Sequence, residues 1–418
     1  MSLSVKGGQL TSATSTGNQA TTGIGFQPKI VFFYTTAVTG DFLWSPIIGV
    51  ATSSSARWCS MSHVYVIPTR TNYYFNSSKC VSYVYDSDGA GTMTKLFEAD
   101  FVTMDSDGFT INWSTVQATG YPVNYLCLGG TDISVKVGVA DLTSGTGNQS
   151  FTGVGFLPGA LIIGGSASVT SADGTGGSDS GLFQLGFGTS SASRMVMAGN
   201  STDADNPSNT TGVLDQTKIY SVLTATDSVA GAADLSTLDS DGFTLNKTTS
   251  IAATVRIGYI ALGGTAQYKV SSITQPNATT GSQAKTGVGF QPSAVLFISA
   301  GKTASNTTNA SIRTLIGASV SSSDYGCFYT TCPDAAATNS YCNRRTTRSK
   351  ALVFTGDSND TAAADATFTS MDSDGFTVNW TTADATQRAI GFLAIGAATG
   401  GGGTFKSAFA RNANAILQ

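Results

Sequence analysis

The sequence predicts an all-β protein, three tandem antiparallel β-sandwiches followed by a short C-terminal arm. Three observations carry this. Large apolar residues alternate with polar ones at period 2, as in 109–113 and 376–380. Three landmarks return in the same order at steps of 130 to 134 residues. No stretch ahead of residue 398 keeps the 3.6-residue period of an amphipathic helix.

The first landmark is Gly-x-Gly-Phe-x-Pro at 23–28, 153–158 and 287–292. It precedes a strand, opens no helix and lacks a following Lys-Ser/Thr, so it reads as a turn into the strand and not as a phosphate cradle. The apolar runs that follow, 30–34, 160–163 and 294–298, are unbroken, which predicts central strands covered on both faces. The middles diverge: Arg57-Trp58 and Arg194-Met195 stand where the third copy has Ser323-Asp324-Tyr325. Surface loops vary in this way while scaffold strands stay put.

The second landmark is Asp-Ser-Asp-Gly-Phe-Thr-x-Asn at 105–112, 239–246 and 372–379. Asp-Gly between alternating apolar stretches is a hairpin signal, because glycine takes positive φ and Asp bonds nearby backbone. The string also opens like a calcium loop, but it lacks the third carboxylate and the distal Glu, so no metal site is expected. Lys247 stands where the other copies have Trp113 and Trp380, so packing there should differ. The third landmark is the closing strand, 125–130, 259–264 and 392–396.

A period near 133 matches a whole domain with its own core. The boundaries fall at 1–131, 132–265 and 266–397, with 398–418 as a Gly-rich hinge and arm. The closing strand of one copy runs almost directly into the opening strand of the next, which fixes their mutual angle, in a stiff rod or a compact cluster. Lys6, Lys136 and Lys269 align, so the first residues belong to a repeat and leave no room for a cleavable leader. In the arm, Phe405, Phe409 and Ile416 form an apolar stripe with no repeat partner, expected to fold back on the third copy or to reach a neighbouring subunit. The second alternative predicts that removing 400–418 abolishes assembly and spares thermal stability.

Composition narrows the function. Charged residues are 11% and hydrophobic ones 41%, which excludes wholesale disorder. A net charge of −4 with no basic stripe excludes a nucleic-acid partner, and apolar runs of about five residues fall short of the ~20 of a membrane-spanning helix. Cys59, Cys80, Cys127, Cys327, Cys332 and Cys342 are uneven across the copies and read as buried free thiols. The single histidine, His63, has no equivalent in the other copies, which argues against a Ser-His-Asp enzyme. No catalytic, cofactor or metal residue is expected. Arg57, Trp58, Arg194 and Tyr325 are the candidates for surface recognition, with Tyr65, Tyr73 and Tyr74 as further loop aromatics able to stack on sugar rings.

The recurring strings resemble repeat modules in virion proteins of tailed bacteriophages, over nearly all of residues 4–396. The resemblance implies a concanavalin-like or jelly-roll scaffold without an active site. It implies a non-enzymatic structural protein on the virion surface, in head decoration or in the tail or fibre apparatus. That protein would be made in the host cytoplasm without a signal peptide, would form a homo-oligomer, and would contact other virion proteins. A glycan-binding adhesin that attaches to a host surface glycan is the alternative.

Overall fold

The structure is a computed structural model that describes residues 2–398 except 37–39, 42, 66–69, 87–92, 167–175, 178–179, 203–206, 225–226, 304, 336–341 and 357–360. Its regular elements are all strands, arranged in six antiparallel sheets. None of the described elements is a helix able to cross a membrane.

The sheets form three pairs, each built from a consecutive group of strands. In the first group the long sheet runs Ser4–Thr11, Pro122–Gly129, Pro28–Thr35, Ile47–Ser53, Ala56–Tyr65, Arg70–Asn76. The four-stranded sheet runs Gly17–Thr22, Gly108–Thr115, Met93–Asp105, Val81–Asp86. The same order recurs between Ile133–Leu142 and Val255–Gly264, and between Gln267–Thr274 and Ala389–Gly396.

The unbroken apolar runs now have a physical reason. In Pro28–Thr35, Val31 and Phe33 point into a core shared with the four-stranded sheet, where Phe33 meets Phe109 edge-on. Ile30, Phe32 and Tyr34, on the opposite face, enter a second cluster to which all three groups contribute. Ala160 and Ile162 in the second group, and Ala294, Leu296 and Ile298 in the third, do the same. The closing strands divide likewise: Leu126 and Leu128, Ile260 and Leu262, Leu393 and Ile395 belong to the shared cluster. Each such side chain contributes about 1.5–3 kcal/mol when fully buried, so this central layer ties the groups together. Around its middle, Phe32, Leu126, Ile162, Ile260, Leu262 and Leu296 line a void of only about 10 Å³. The centre is therefore packed and not a channel.

Of the two arrangements expected from the short junctions, the groups take the cluster, closed into a ring. Each long sheet receives at its edge a two-residue strand from another group. Gly176–Gly177 pairs with Tyr73 and Tyr74 of the first group, and Asn309–Ala310 with Thr211 and Gly212 of the second. Gly40–Asp41 of the first group pairs with Asn343 and Arg344 of the third, completing the cycle. These additions cover edges that would otherwise be open to pairing with another chain.

One expectation about side chains is corrected here and one is met. Cys332 and Cys342 form a disulfide, with Cα atoms 4.2 Å apart, whereas Cys59, Cys80, Cys127 and Cys327 are free and buried. Their spacing of ten residues matches no recurring cysteine pattern, so only the fold reveals the pair. At position 247, lysine replaces the indole without exposing it: its Nζ donates to the Thr143 carbonyl and hydroxyl at 3.0 and 2.7 Å and to the Ser144 carbonyl at 3.2 Å. Trp113 and Trp380 instead donate to Gln19 and Gln283, at 2.6 and 2.9 Å.

Candidate functional site

The two glycine-bearing landmarks turn out to be partners. Asp105 and Gly108 close a two-residue hairpin loop, and Asp105 accepts the Thr110 hydroxyl at 2.7 Å. The second aspartate, Asp107, reaches 84 and 82 residues back and accepts the Gly23 and Gly25 amides at 3.0 and 2.5 Å. Asp241 does the same to Gly153 and Gly155 at 3.2 and 2.5 Å, and Asp374 to Gly287 and Gly289 at 3.0 and 2.6 Å. The two amides hold the Asp374 carboxyl below its ordinary value. Gly108 is required by contact as well as by its φ of 154°, because a Cβ there would lie 1.8 Å from the Thr21 carbonyl oxygen.

These carboxylates therefore clamp each sandwich. Among the described residues no three His, Cys, Asp or Glu side chains gather as metal ligands do. A chelator should leave the melting temperature unchanged. A fall of several degrees would show that the aspartates hold a cation that binds only the native state.

The recognition candidates occupy equivalent hairpins but differ in their surroundings. Arg57 pairs with Asp100 at 3.2 Å and also donates to the carbonyls of Ser54, Ser78 and Phe101, leaving its side chain 14% exposed. Arg194 pairs with Asp234 at 3.2 Å and donates to the Thr217 carbonyl. A lysine shares each carboxylate, Lys79 at 3.0 Å and Lys218 at 2.9 Å, and the third copy keeps only the lysine half, Lys350 with Asp365 at 2.8 Å. This repeated Lys-Asp pair was not singled out from the sequence, although Lys79, Lys218 and Lys350 recur at nearly constant spacing. Both arginines are thus brackets between the two sheets of a group.

Trp58 is fully buried and cannot be a surface recognition residue. It stacks on Phe75 at 5.9 Å, and its Nε1 donates to the Tyr259 carbonyl of the second group at 3.3 Å. Its ring lies against Gly164 and Gly258, where a Cβ would come within 2.6 and 2.4 Å of it. Tyr73 and Tyr74 are also buried, Tyr74 donating to Glu98 at 3.0 Å. Tyr325, like Arg57 and Arg194, is half-exposed; it stands opposite Ser319 in its hairpin, beside the ion-paired Asp324, and packs on the third core. The Tyr65 side chain and the arm residues Phe405, Phe409 and Ile416 lie outside the described residues.

His63 is buried between the first and third groups, with its Nδ1 3.3 Å from the Tyr83 hydroxyl. Burial, and then the charge of Arg344, push the imidazole down to about 3, so it is neutral near pH 7. Arg344 itself donates to Ser45 at 3.3 Å and Tyr83 at 3.5 Å. This trio joins two groups.

The remaining candidate is one end of the ring, where the junctions meet. The Asp132 carboxylate accepts the Leu3 amide at 3.1 Å and the Ala398 amide at 3.0 Å. Its backbone carbonyl accepts the amides of Thr265 and Ala266, both at 2.9 Å. The start of the described chain, its end and both internal junctions thus converge on one residue. Beside it Lys29 donates to the Ile133 carbonyl at 2.8 Å and forms the wall of an open groove of about 590 Å³ between the first and second groups. Pro28, Met104, Val135, Val154 and Phe156 make the apolar part of that groove. The arrangement offers an open docking surface, with Gln27, Lys29, Thr52 and Ser134 as its polar side chains.

On the third group, Asp384 is held by Arg388 through bonds of 2.6 and 2.8 Å. Burial works to raise this carboxyl, but Arg388, Gln275 and Thr386 outweigh it and bring it to about 2. A folded-state value depressed in this way stabilises the fold above pH ~4 and loses the contribution as pH falls through about 2. Asp384→Asn should flatten that part of the stability profile, measured by denaturant melts across the acid range.

No family model and no curated protein matches the chain. Among solved structures, the fructofuranosidase from Schwanniomyces occidentalis complexed with fructose aligns over 94% of this chain and 97% of that one, at 6% identity and a TM-score of 0.14. OmpT, an outer membrane protein of Vibrio cholerae, aligns over the same shares at 9% identity and a TM-score of 0.08. Such scores carry no argument about fold or function.

Proposed function

We propose that the chain is a non-enzymatic structural protein of a tailed-phage virion, exposed on the particle surface. It is built as three sandwich units of concanavalin-like or jelly-roll kind over 1–131, 132–265 and 266–397. The observation that carries this reading is that two sets of repeated charged residues serve the scaffold. Asp107, Asp241 and Asp374 clamp turns, and Arg57, Arg194 and the three lysines bracket sheets. A ring whose long sheets are each capped at one edge by a neighbouring group, around a packed centre, suits a hard shell element that must resist proteases. In this reading the protein self-associates and contacts other virion proteins through the end where residues 399–418 leave.

The test pairs mass spectrometry of purified particles with a glycan array probed by the isolated chain. The proposal expects the chain at a fixed copy number in the particle and no binding on the array. Reproducible binding to one glycan class would favour the host-recognition adhesin, with Tyr325 and the hairpin tips as its contact. Absence from purified particles would overturn the virion reading.

A further inference from the structure

The groove between the first and second groups has an equivalent between the second and third, and there the chain fills it. Tyr268 occupies the position that Val135 holds one repeat earlier, since each immediately precedes an aligned lysine, Lys269 or Lys136. The Tyr268 ring lies where a Cβ on Gly159 would come within 2.7 Å, and its hydroxyl donates to the Gly263 carbonyl at 2.8 Å. Gly159 in turn stands one residue after Pro158, as Lys29 stands after Pro28. At the first site, then, the smaller Val135 leaves half-buried apolar surface uncovered, formed with Met104 and Phe156. What such a site accepts is an aromatic ring.

The chain carries two further aromatic residues, Phe405 and Phe409, seven and eleven positions beyond Ala398. Ala398 is hydrogen-bonded to Asp132, and Ser134 and Val135, two and three residues further along the strand that follows, line the groove. Three strand residues span about 10 Å. The seven residues that follow Ala398, as far as Phe405 and four of them glycines, reach up to ~24 Å when extended. A short, glycine-rich tether of this kind keeps its cargo at high effective concentration near the exit point.

We propose that in the unassembled molecule the chain's own C-terminal segment, residues 404–416, docks in the groove bounded by Lys29, Met104, Val135 and Phe156, with Phe405 or Phe409 taking the place that Tyr268 takes next door. This does not depend on the virion reading. Docking in cis is favoured because the segment leaves within a few residues of the seat, whereas a partner's segment would have to displace it.

Hydrogen exchange of the full-length protein, read on peptides from 404–418, tests this. The amides should be protected roughly tenfold or more over the unstructured rate, equally at high and low protein concentration. Protection should vanish in Lys29→Gly/Val135→Tyr, which rebuilds the filled site. It should vanish equally in Phe405→Ser/Phe409→Ser, which leaves the folded body untouched and so guards against misfolding of the first variant. Exchange at the unstructured rate in the wild type would overturn the proposal. Protection that survives both variants would overturn the seat, and protection that grows with concentration would assign the segment to a second copy and overturn docking in cis.

Discussion

Trp58→Ala should lower stability by about 3–5 kcal/mol, the cost of deleting a fully buried indole, and the loss should be felt between groups and not within one. The ring packs on Phe75 of its own group and on Gly164 and Gly258 of the next, and it donates to the Tyr259 carbonyl. Removing it leaves a cavity in the central layer and an acceptor without its donor. Denaturant melts measure the size of the effect, and a second substitution locates it. Gly258→Ala alone should be strongly destabilising, because its Cβ would come within 2.4 Å of the indole. In the Trp58→Ala background the same methyl group meets empty space, so its cost should nearly disappear, a coupling that only direct contact between the sites produces. Additive effects would place the indole elsewhere.

Asp324→Ala should cost about 2–3 kcal/mol, since it removes an almost buried carboxylate that receives charge-assisted bonds. Its two oxygens accept the Gly7 amide at 3.0 Å and pair with Arg348 and, at 3.4 Å, with Lys6. Those partners come from the two groups whose contact closes the ring, the opening strand of the first group and the sheet of the third. The partly exposed lysine adds little; the amide and the guanidinium carry the effect. Amide exchange along Ser4–Thr11 should quicken in this variant more than along Ile133–Leu142, whose amides receive no such carboxylate among the described residues. Equal quickening in both strands would mean that Asp324 supports the whole fold and not the closure.

Much of the scaffold was legible because it rests on local chemistry repeated three times. Alternation in 109–113 gave a half-buried strand, and Asp-Ser-Asp-Gly gave the hairpin turn between two such strands. The unbroken runs at 30–34, 160–163 and 294–298 marked strands with two buried faces, and this already required a second apolar layer. That layer is the shared cluster, but nothing in one strand says which element will cover it. The ring closure was not legible at all, because Gly40–Asp41, Gly176–Gly177 and Asn309–Ala310 are two residues long and carry no pattern.

The candidate site was read less well, for a related reason. Trp58 and Arg57 follow a serine-rich turn and look like loop residues. In the structure they stand on the strand Ala56–Tyr65, one side chain facing the next group and the other facing its own four-stranded sheet. The clamp from Asp107 to Gly23 and Gly25 joins two strings that were each recognised but not connected. Their near-constant separation across the copies, 84, 88 and 87 residues, was the available signal. The convergence on Asp132 left no trace in composition or spacing.

The central claim is that three repeated groups share one interior and close into a ring within a single chain. Differential scanning calorimetry of the intact protein tests it most directly. The shared cluster and the exchanged edge strands predict one cooperative transition, with calorimetric and van't Hoff enthalpies that agree. Three resolved transitions, or a calorimetric enthalpy about three times the van't Hoff value, would mean that each group melts alone around its own core, and would contradict the ring.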